Sequence, residues 1–253
     1  MSHAPYPSAP LVAAPLPPSI WRMSDIAVGL GLAGLGFLVL IAGLIVASRV
    51  LDAAPDDGTL ATALLAAIVT LLFEASLALI VLFLARHRAL TGEQLGLAQP
   101  GRWRWSLYAV LGAYAVLIVY GLVVLAIERL TGSDLGVLRQ GNGLPDTAGD
   151  APLVLAILGV SVVVVAPLAE ELFFRAFLFR AVQGRWGLVA GLLFSGLAFS
   201  LFHTNVGVAV PFFVIGVLLA WAYHATGSLW TPIAAHATIN GIGFIATLAG
   251  VSS

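Results

Sequence analysis

One stretch of the chain carries residues whose types and spacing could do chemistry, and it lies inside an apolar run. Glu170, Glu171 and Arg175 fall between Pro167 and Phe179. An ionised side chain at the centre of a membrane helix costs about 2.5 to 3.5 kcal/mol, so these groups need partners or a water-filled pocket. On a helix, Glu171 and Arg175 are i, i+4 neighbours and can form an ion pair. Because Glu170 points about 100° away from Glu171, it is predicted to be the carboxylate left for chemistry.

Two further pairs of residues lie on the apolar segments that follow. Phe199 and His203 are spaced by four residues, and so are His236 and Asn240. This spacing places His236 and Asn240 on one helix face, from which both can point into one pocket. Together with Glu170, these side chains supply a general base, imidazoles that can donate or ligate, and an amide donor for an oxyanion.

The composition places these residues in a membrane protein. Of the 253 residues, 60% are hydrophobic and only 9% are charged, which is typical of a polytopic membrane protein and not of a water-soluble globule. A net charge of -1, with no basic patch, argues against a nucleic-acid partner. The chain has no cysteine, which excludes thiolate metal ligands and a cysteine nucleophile.

Apolar runs predict an all-α fold, a transmembrane helix bundle of about seven spans. The last helix is predicted to have Thr231 as its N-cap and Pro232 as its first residue. Residues 1–20 hold six prolines and predict a disordered tail. Residues 21–150 then carry spans 1 to 3, and residues 151–253 carry spans 4 to 7 with the polar motifs. The spans cover approximately residues 24–50, 59–85, 106–127, 152–182, 187–202, 208–224 and 232–248.

Two features of the first spans have alternative explanations. Gly29, Gly31 and Gly34 match the spacing of a dinucleotide-binding fingerprint, but that fingerprint requires a preceding strand, so helix packing is predicted instead. Glu74 lies near the middle of span 2. A carboxylate within the membrane is a functional candidate, but a single one can equally be protonated and bonded to a neighbouring helix. The sequence leaves both alternatives open.

The arginines predict the orientation of the chain. Because cytoplasmic loops of membrane proteins carry the excess of basic residues, the N-terminus is predicted to lie in the cytoplasm, with the chain in a bacterial-type plasma membrane. The other side would hold Arg49, Arg129 and Arg139, whereas the N-terminal side would hold Arg22, Arg86, Arg88, Arg102, Arg104, Arg180 and Arg185.

In their order and spacing the polar residues resemble the motifs of the CAAX protease and bacteriocin-processing family of intramembrane proteases. The resemblance covers roughly residues 150–250. It implies an all-helical membrane fold and endopeptidase activity near the C-terminus of a membrane-embedded or lipidated protein substrate. The motifs stand in this chain as Glu170-Glu171-x-x-x-Arg175, Phe199-x-x-x-His203 and His236-x-x-x-Asn240.

The resemblance also implies a role for each residue. Glu170 becomes the base that activates a water molecule, together with His203. His236 and Asn240 become supports for that water or for the oxyanion. Structural or substrate-binding support is expected from Glu171, Arg175 and Phe199.

Neither a metal requirement nor a hydrolytic function is fixed by the motifs. Glu170, His203 and His236 could hold a divalent metal such as zinc, but the same groups could activate water unaided, which is the alternative we favour. The competing function is that of a non-hydrolytic membrane protein. One such protein is a proton-coupled transporter that uses Glu74 and Glu170, and another is an immunity-type binding protein. Transporters commonly show repeated halves, and this sequence shows none.

Overall fold

The computed structural model describes residues 20–50, 59–141 and 151–250, and within these ranges the chain is helical and has no strand. The predicted all-α membrane fold is confirmed. All but the last residue of the predicted proline-rich tail lies outside the described ranges. The α-helices are α1 Met23–Val50, α2 Leu60–His87, α3 Trp103–Thr131, α4 Pro152–Val160, α5 Ala166–Glu170, α6 Arg180–Phe202, α7 Val206–Thr226 and α8 Trp230–Leu248.

Three shorter segments complete the helical structure of these ranges. A 3₁₀ helix, Gly136–Arg139, follows α3. A first π-helical segment, Ser161–Val165, joins α4 to α5, and a second, Glu171–Phe179, joins α5 to α6. Helical segments therefore follow one another without a connecting loop from Pro152 to Phe202, with one kink at Gly187.

Within the described residues, five helical runs are long and apolar enough to cross a membrane: α1, α2, α3, Pro152–Phe202 and α7. The long run contains the fourth and fifth predicted spans. Gly187 interrupts it with φ 84° and ψ 175°, at the boundary predicted between those spans. Glycine adopts such a positive φ without a steric penalty because it has no Cβ. With α8 as the last span, the structure is consistent with about seven.

The second π-helical segment lies at the centre of the bundle. All of its nine residues, Glu171 to Phe179, are buried, and α2, α6 and α7 pack against it. Its seven apolar residues are enclosed by the surrounding helices, and its two charged residues, Glu171 and Arg175, are enclosed with them. Since π-helical turns are rare and occur frequently at functional sites, the segment marks this part of the bundle as a candidate site.

Close packing at Gly29 brings α1 onto this segment. A Cβ at Gly29 would lie 2.6 Å from the ring of Phe177, so the helix-packing interpretation is correct at this glycine. At Gly31 and Gly34 a Cβ would meet nothing within 4 Å. These two glycines are therefore not required for a close helix contact.

A pair of glycines lets α6 and α7 cross closely. A Cβ at Gly216 would lie 2.8 Å from the Cα of Gly196, and a Cβ at Gly196 would lie 2.8 Å from the carbonyl oxygen of Phe213. Small residues permit this kind of backbone approach between membrane helices. The crossing also places the backbone of Gly216 next to Phe199.

The connection between α2 and α3 is bonded to the turn between α7 and α8. The Leu229 N–H donates to the Gly96 carbonyl at 2.9 Å, and the Ser228 hydroxyl donates to the Gln99 carbonyl at 2.9 Å. We call these two hydrogen bonds the loop clasp. Because of it, the connection between α2 and α3 is held against the turn that precedes α8.

The prediction that Thr231 caps α8 is wrong. The helix begins at Trp230, and the residue in the N-cap position, Leu229, makes no side-chain capping bond. The Thr231 hydroxyl instead accepts a hydrogen bond from the Arg102 N–H at 3.0 Å. The physical reason is that the first N–H groups of α3 need acceptors as well, and tertiary packing brings this hydroxyl to them.

The glycine crossing gives a first testable prediction. Gly216→Ala should lower the thermal unfolding midpoint of the detergent-solubilised protein, since overpacking a tight contact costs about 1 to 3 kcal/mol. Gly121→Ala on α3, where a Cβ meets nothing within 4 Å, is the matched control. Equal midpoints for the two variants would contradict the close crossing.

Candidate active site

The four residues predicted to be catalytic line a single cavity of about 580 Å³. Glu170 ends α5, His203 directly follows α6, and His236 and Asn240 lie on α8. The structure therefore brings together side chains that the sequence spreads over seventy residues. The cavity lies within a bundle of membrane-spanning helices.

Glu170 is buried, with only 3% of the residue exposed. Its Oε2 atom has no hydrogen-bond partner in the protein. Buried carboxylate oxygens are normally bonded, and an unpaired buried polar atom costs about 1 to 3 kcal/mol. Glu170 thus carries an acceptor that the protein leaves unused at the wall of the cavity.

Glu171 and Arg175 form a buried ion pair beside Glu170. The Arg175 Nη1 donates to Glu171 Oε1 at 2.8 Å, and neither side chain is exposed. The second terminal nitrogen of Arg175 donates to the Gly216 carbonyl at 3.3 Å. The guanidinium carbon also lies 4.6 Å from the centroid of the Phe199 ring, within cation–π range. Arg175 therefore joins the π-helical segment to α6 and α7.

His236 is bonded to the same carboxylate. Its Nδ1 lies 2.8 Å from Glu171 Oε1. Because Glu171 is paired with Arg175, its oxygen is an ionised acceptor, so His236 Nδ1 must carry the proton. A neutral His236 then has its lone pair on Nε2. The sequence does not reveal this link, because i, i+4 spacing describes contacts within one helix and not contacts between two helices.

His203 is held in the same tautomer by the backbone. Its Nδ1 is 2.8 Å from the Phe199 carbonyl oxygen, which can only accept, so Nδ1 is the protonated nitrogen and Nε2 carries the lone pair. The Phe199 ring lies 4.7 Å from the His203 ring and 5.5 Å from the His236 ring, measured between centroids. One phenyl ring therefore fixes the positions of both imidazoles.

Asn240 replaces a donor that a proline removes. In the first π-helical segment the Ala166 N–H donates to the Ser161 carbonyl, five residues earlier. The same pattern would pair residue 167 with the Val162 carbonyl, but Pro167 has no N–H. Asn240 Nδ2 donates to that carbonyl at 2.9 Å. One of its two amide hydrogens remains for another acceptor.

Helices α2 and α3 supply walls of the cavity that sequence reasoning did not place at the site. Glu74 lines it and is 7% exposed, and its Oε2 has no hydrogen-bond partner. Tyr114 and Ser161 line it as well. Of these, only Glu74 gave a signal in the sequence, as a carboxylate in the middle of an apolar span.

The candidate metal ligands do not form a metal site in this structure. By donor chemistry, Glu170, His203 and His236 would suit zinc. However, within residues 20–50, 59–141 and 151–250 no group of three or more His, Asp or Glu side chains is arranged to hold a metal ion. No step of the chemistry below is therefore assigned to a metal.

A second cavity, of about 500 Å³ and almost wholly apolar, adjoins the first. Phe73 lines the apolar cavity, and the next residue, Glu74, lines the polar cavity. In the same way, Phe202 and Thr204 line the apolar cavity, whereas His203 between them lines the polar cavity. The other walls of the apolar cavity come from α1, the second π-helical segment and α6, and include Leu30, Ala33, Gly34, Leu178 and Leu197.

Residues 152–242 match the family model described as type II CAAX prenyl endopeptidase Rce1-like. This part of the chain is similar to that family, and we call it the Rce1-like segment. It contains all three polar motifs, and the resemblance predicted from them is confirmed. The Rce1-like segment and the long apolar helices together indicate an integral membrane protein.

Two curated proteins are similar to the chain. UPF0177 protein YxdF of Lactococcus lactis is 26% identical over 106 residues, which are 41% of this chain and 56% of that protein. "Putative membrane peptidase YdiL" of Bacillus subtilis is 25% identical over 137 residues, 53% of each chain. The chain thus spans about half the length of the curated relatives it matches. No solved structure matches it.

The bond between Asn240 and Val162 gives a second prediction. Asn240→Ala should lower the thermal unfolding midpoint, because a polar backbone group that loses its partner inside a membrane bundle costs up to about 1 to 3 kcal/mol. Pro167→Ala restores a backbone N–H, so the double variant should regain most of that loss. The measurement is thermal unfolding in detergent.

Thr238→Ala is the control for this experiment. Thr238 is exposed on the same helix as Asn240, and its hydroxyl donates to the Ala234 carbonyl of that helix. A double variant no more stable than Asn240→Ala would refute the exchange of donors.

Proposed function

We propose that this protein is an intramembrane endopeptidase of the CAAX type, which hydrolyses a peptide bond near the C-terminus of a membrane-associated protein. One observation carries the proposal: Glu170, His203, His236 and Asn240 line a single cavity inside a membrane-spanning bundle. The Rce1-like segment contains all four. The name of the Bacillus subtilis relative, "Putative membrane peptidase YdiL", supports the same class of reaction.

The nucleophile in this proposal is water held between Glu170 and His203. Both offer acceptors, one a carboxylate oxygen without a protein partner and the other the Nε2 lone pair fixed by the bond at Nδ1. A water that donates to both has its own lone pair free for the scissile carbonyl. Glu170 takes the proton as the water attacks, the usual role of a general base.

Asn240 is the proposed donor to the oxyanion. Its second amide hydrogen remains after the bond to Val162. A neutral His236 presents an acceptor at Nε2, since its Nδ1 proton points to Glu171. The two residues expected to share the oxyanion are therefore assigned different tasks, and His236 positions the water or a substrate N–H.

Direct attack by water needs no covalent intermediate. The chain has no cysteine, and the hydroxyl of the buried Ser195 donates to the Phe174 carbonyl at 3.0 Å. The proposed reaction is a single displacement in which the hydroxyl of water becomes part of the new carboxyl group. Both products then leave without an acyl-enzyme.

The apolar cavity suits the lipid part of a lipidated substrate. An isoprenoid chain has no hydrogen-bonding groups, and the walls of this cavity are almost entirely hydrocarbon. The polar cavity begins on the other side of Phe73 and His203. A lipid in the first cavity would therefore place the attached peptide beside the second.

The third prediction tests the base. Purified wild-type protein should cleave a farnesylated peptide ending in cysteine, two aliphatic residues and a variable residue, and mass spectrometry should locate the bond. Glu170→Gln should abolish cleavage, because the amide cannot accept the proton of water, while the peptide still binds. Normal turnover by Glu170→Gln, or trapping of an acyl-enzyme, would exclude the mechanism.

A fourth prediction tests the lipid site. Gly34→Leu should fill the apolar cavity without a backbone clash, since a Cβ at Gly34 meets nothing within 4 Å. The KM for the farnesylated peptide should rise about tenfold or more, the equivalent of losing one or two buried methylene groups. Turnover of the same peptide without its lipid should not change.

Gly31→Leu is the matched control, because the same substitution there is equally open but lies outside the cavity walls. Equal effects of the two variants on KM would count against lipid binding in this cavity.

A further inference from the structure

Glu74 lies outside the Rce1-like segment and outside every motif, yet it lines the same cavity as Glu170. It comes from α2, which packs against the helix that ends at Glu170. Both residues are buried, Glu74 with 7% and Glu170 with 3% of the residue exposed. Two carboxyl groups from different parts of the chain therefore share one enclosed space.

Packing does not explain the carboxyl group of Glu74. A structural role predicts a hydrogen bond from Oε2 to a neighbouring helix, and this buried oxygen has no such partner. Glu170 Oε2 and the Ser161 hydroxyl, on the walls of the same cavity, have none either. Each unpaired buried polar atom costs about 1 to 3 kcal/mol. Three of them, on three segments around one cavity, indicate a place for the polar atoms of a substrate.

The proposed reaction assigns one protonation state to each of the two carboxyl groups. Arg175 is bonded to Glu171, so the charges of that pair offset each other. Glu74 and Glu170 line the same cavity and lie on helices that pack against each other. Because like charges in one enclosed site disfavour each other, the two carboxyl groups are not both expected to be ionised. If Glu170 is the ionised base, the proton belongs to Glu74.

We propose that Glu74 is a catalytic residue, the general acid that donates its proton to the leaving amine. The inference rests on the proposed function and adds to it a group from α2. It also supplies a proton donor that neutral imidazoles do not: with the Nδ1 protons of His203 and His236 bonded to the protein, the Nε2 atoms of the neutral rings are acceptors.

Every atom in the proposed step is accounted for. Glu170 takes a proton from water as the new carbon–oxygen bond forms. When the carbon–nitrogen bond breaks, its electron pair goes to nitrogen, which takes the proton from Glu74. The products are a carboxylic acid and an amine. The proton on Glu170 then passes to Glu74 across the shared cavity, which restores the starting pair with one water consumed.

The test compares two substrates that differ in their need for an acid. One is the farnesylated peptide described above, whose leaving amine must be protonated. The other carries the same acyl segment as a para-nitrophenyl ester, whose leaving group departs as an anion. Glu74→Gln should slow amide cleavage by about 10²- to 10⁴-fold, the usual contribution of a general acid, and should leave ester cleavage nearly unchanged. Glu170→Gln should abolish both reactions.

Control variants keep the outcome unambiguous. Glu93→Gln makes the same chemical change at an exposed position and should alter neither rate. Glu74→Asp retains an acid with a shorter reach, so it should recover part of the amide rate. If Glu74→Gln does not fold, a selective loss of the amide reaction in Glu74→Asp serves the same purpose.

Equal slowing of both substrates by the Glu74 variants, or no slowing of the amide, would overturn the role of Glu74 alone. Cleavage of neither substrate by the wild-type protein, or of both by Glu170→Gln, would overturn the proposed function itself.

Discussion

The fully buried ion pair between Glu171 and Arg175 is the interaction on which the rest of the site depends. Removing one member of such a pair leaves an uncompensated buried charge, at a cost of about 3 to 5 kcal/mol. The pair also fixes three neighbours: the Gly216 carbonyl on α7, the Phe199 ring on α6 and the His236 imidazole on α8. Four elements thus meet at two charged side chains, and the cavity forms beside them.

A second constraint comes from the π-helical segments, whose backbone groups must be satisfied inside a membrane. Side chains from other parts of the chain donate to their carbonyl oxygens. The Ser195 hydroxyl donates to the Phe174 carbonyl at 3.0 Å, the Trp21 indole donates to the Ala176 carbonyl at 2.7 Å, and the Asn240 amide donates to the Val162 carbonyl. The irregular backbone on either side of α5, the helix that ends at Glu170, is therefore stabilised by bonds from the assembled bundle.

Much of the fold could be predicted from the sequence because the physical signals are local. Apolar runs of sufficient length identify the spans, and the boundary predicted between the fourth and fifth spans coincides with the kink at Gly187. The i, i+4 rule predicts the contact between Glu171 and Arg175 within one helix. The bonds that build the site lie between helices, so no local pattern contains them. The bond between His236 and Glu171 and the cavity shared by Glu74 and Glu170 are two such contacts between helices.

At Thr231 the local sequence pattern predicts a bond that the tertiary structure does not make. The sequence around it is a good capping signal for its own helix, but its hydroxyl is used at the start of α3. The Thr231 hydroxyl accepts from the Arg102 N–H instead of capping its own helix. The unpaired N–H groups at the start of every helix need acceptors, and packing decides which acceptor each of them reaches.

The loop clasp bears on how the proposed substrate could reach the cavity. It ties the connection between α2 and α3 to the turn that precedes α8. The cavity wall includes Thr70 on α2 and Thr247 on α8, which lie toward the ends of these helices that are away from the clasp. At those ends α4 packs between the two helices, where its Val154 and Leu158 join Ala63 and Ala67 of α2 and Phe244 of α8. In the proposed reaction, a polypeptide tail would therefore approach the cavity from the side of the bundle opposite the clasp, past the helices that meet there.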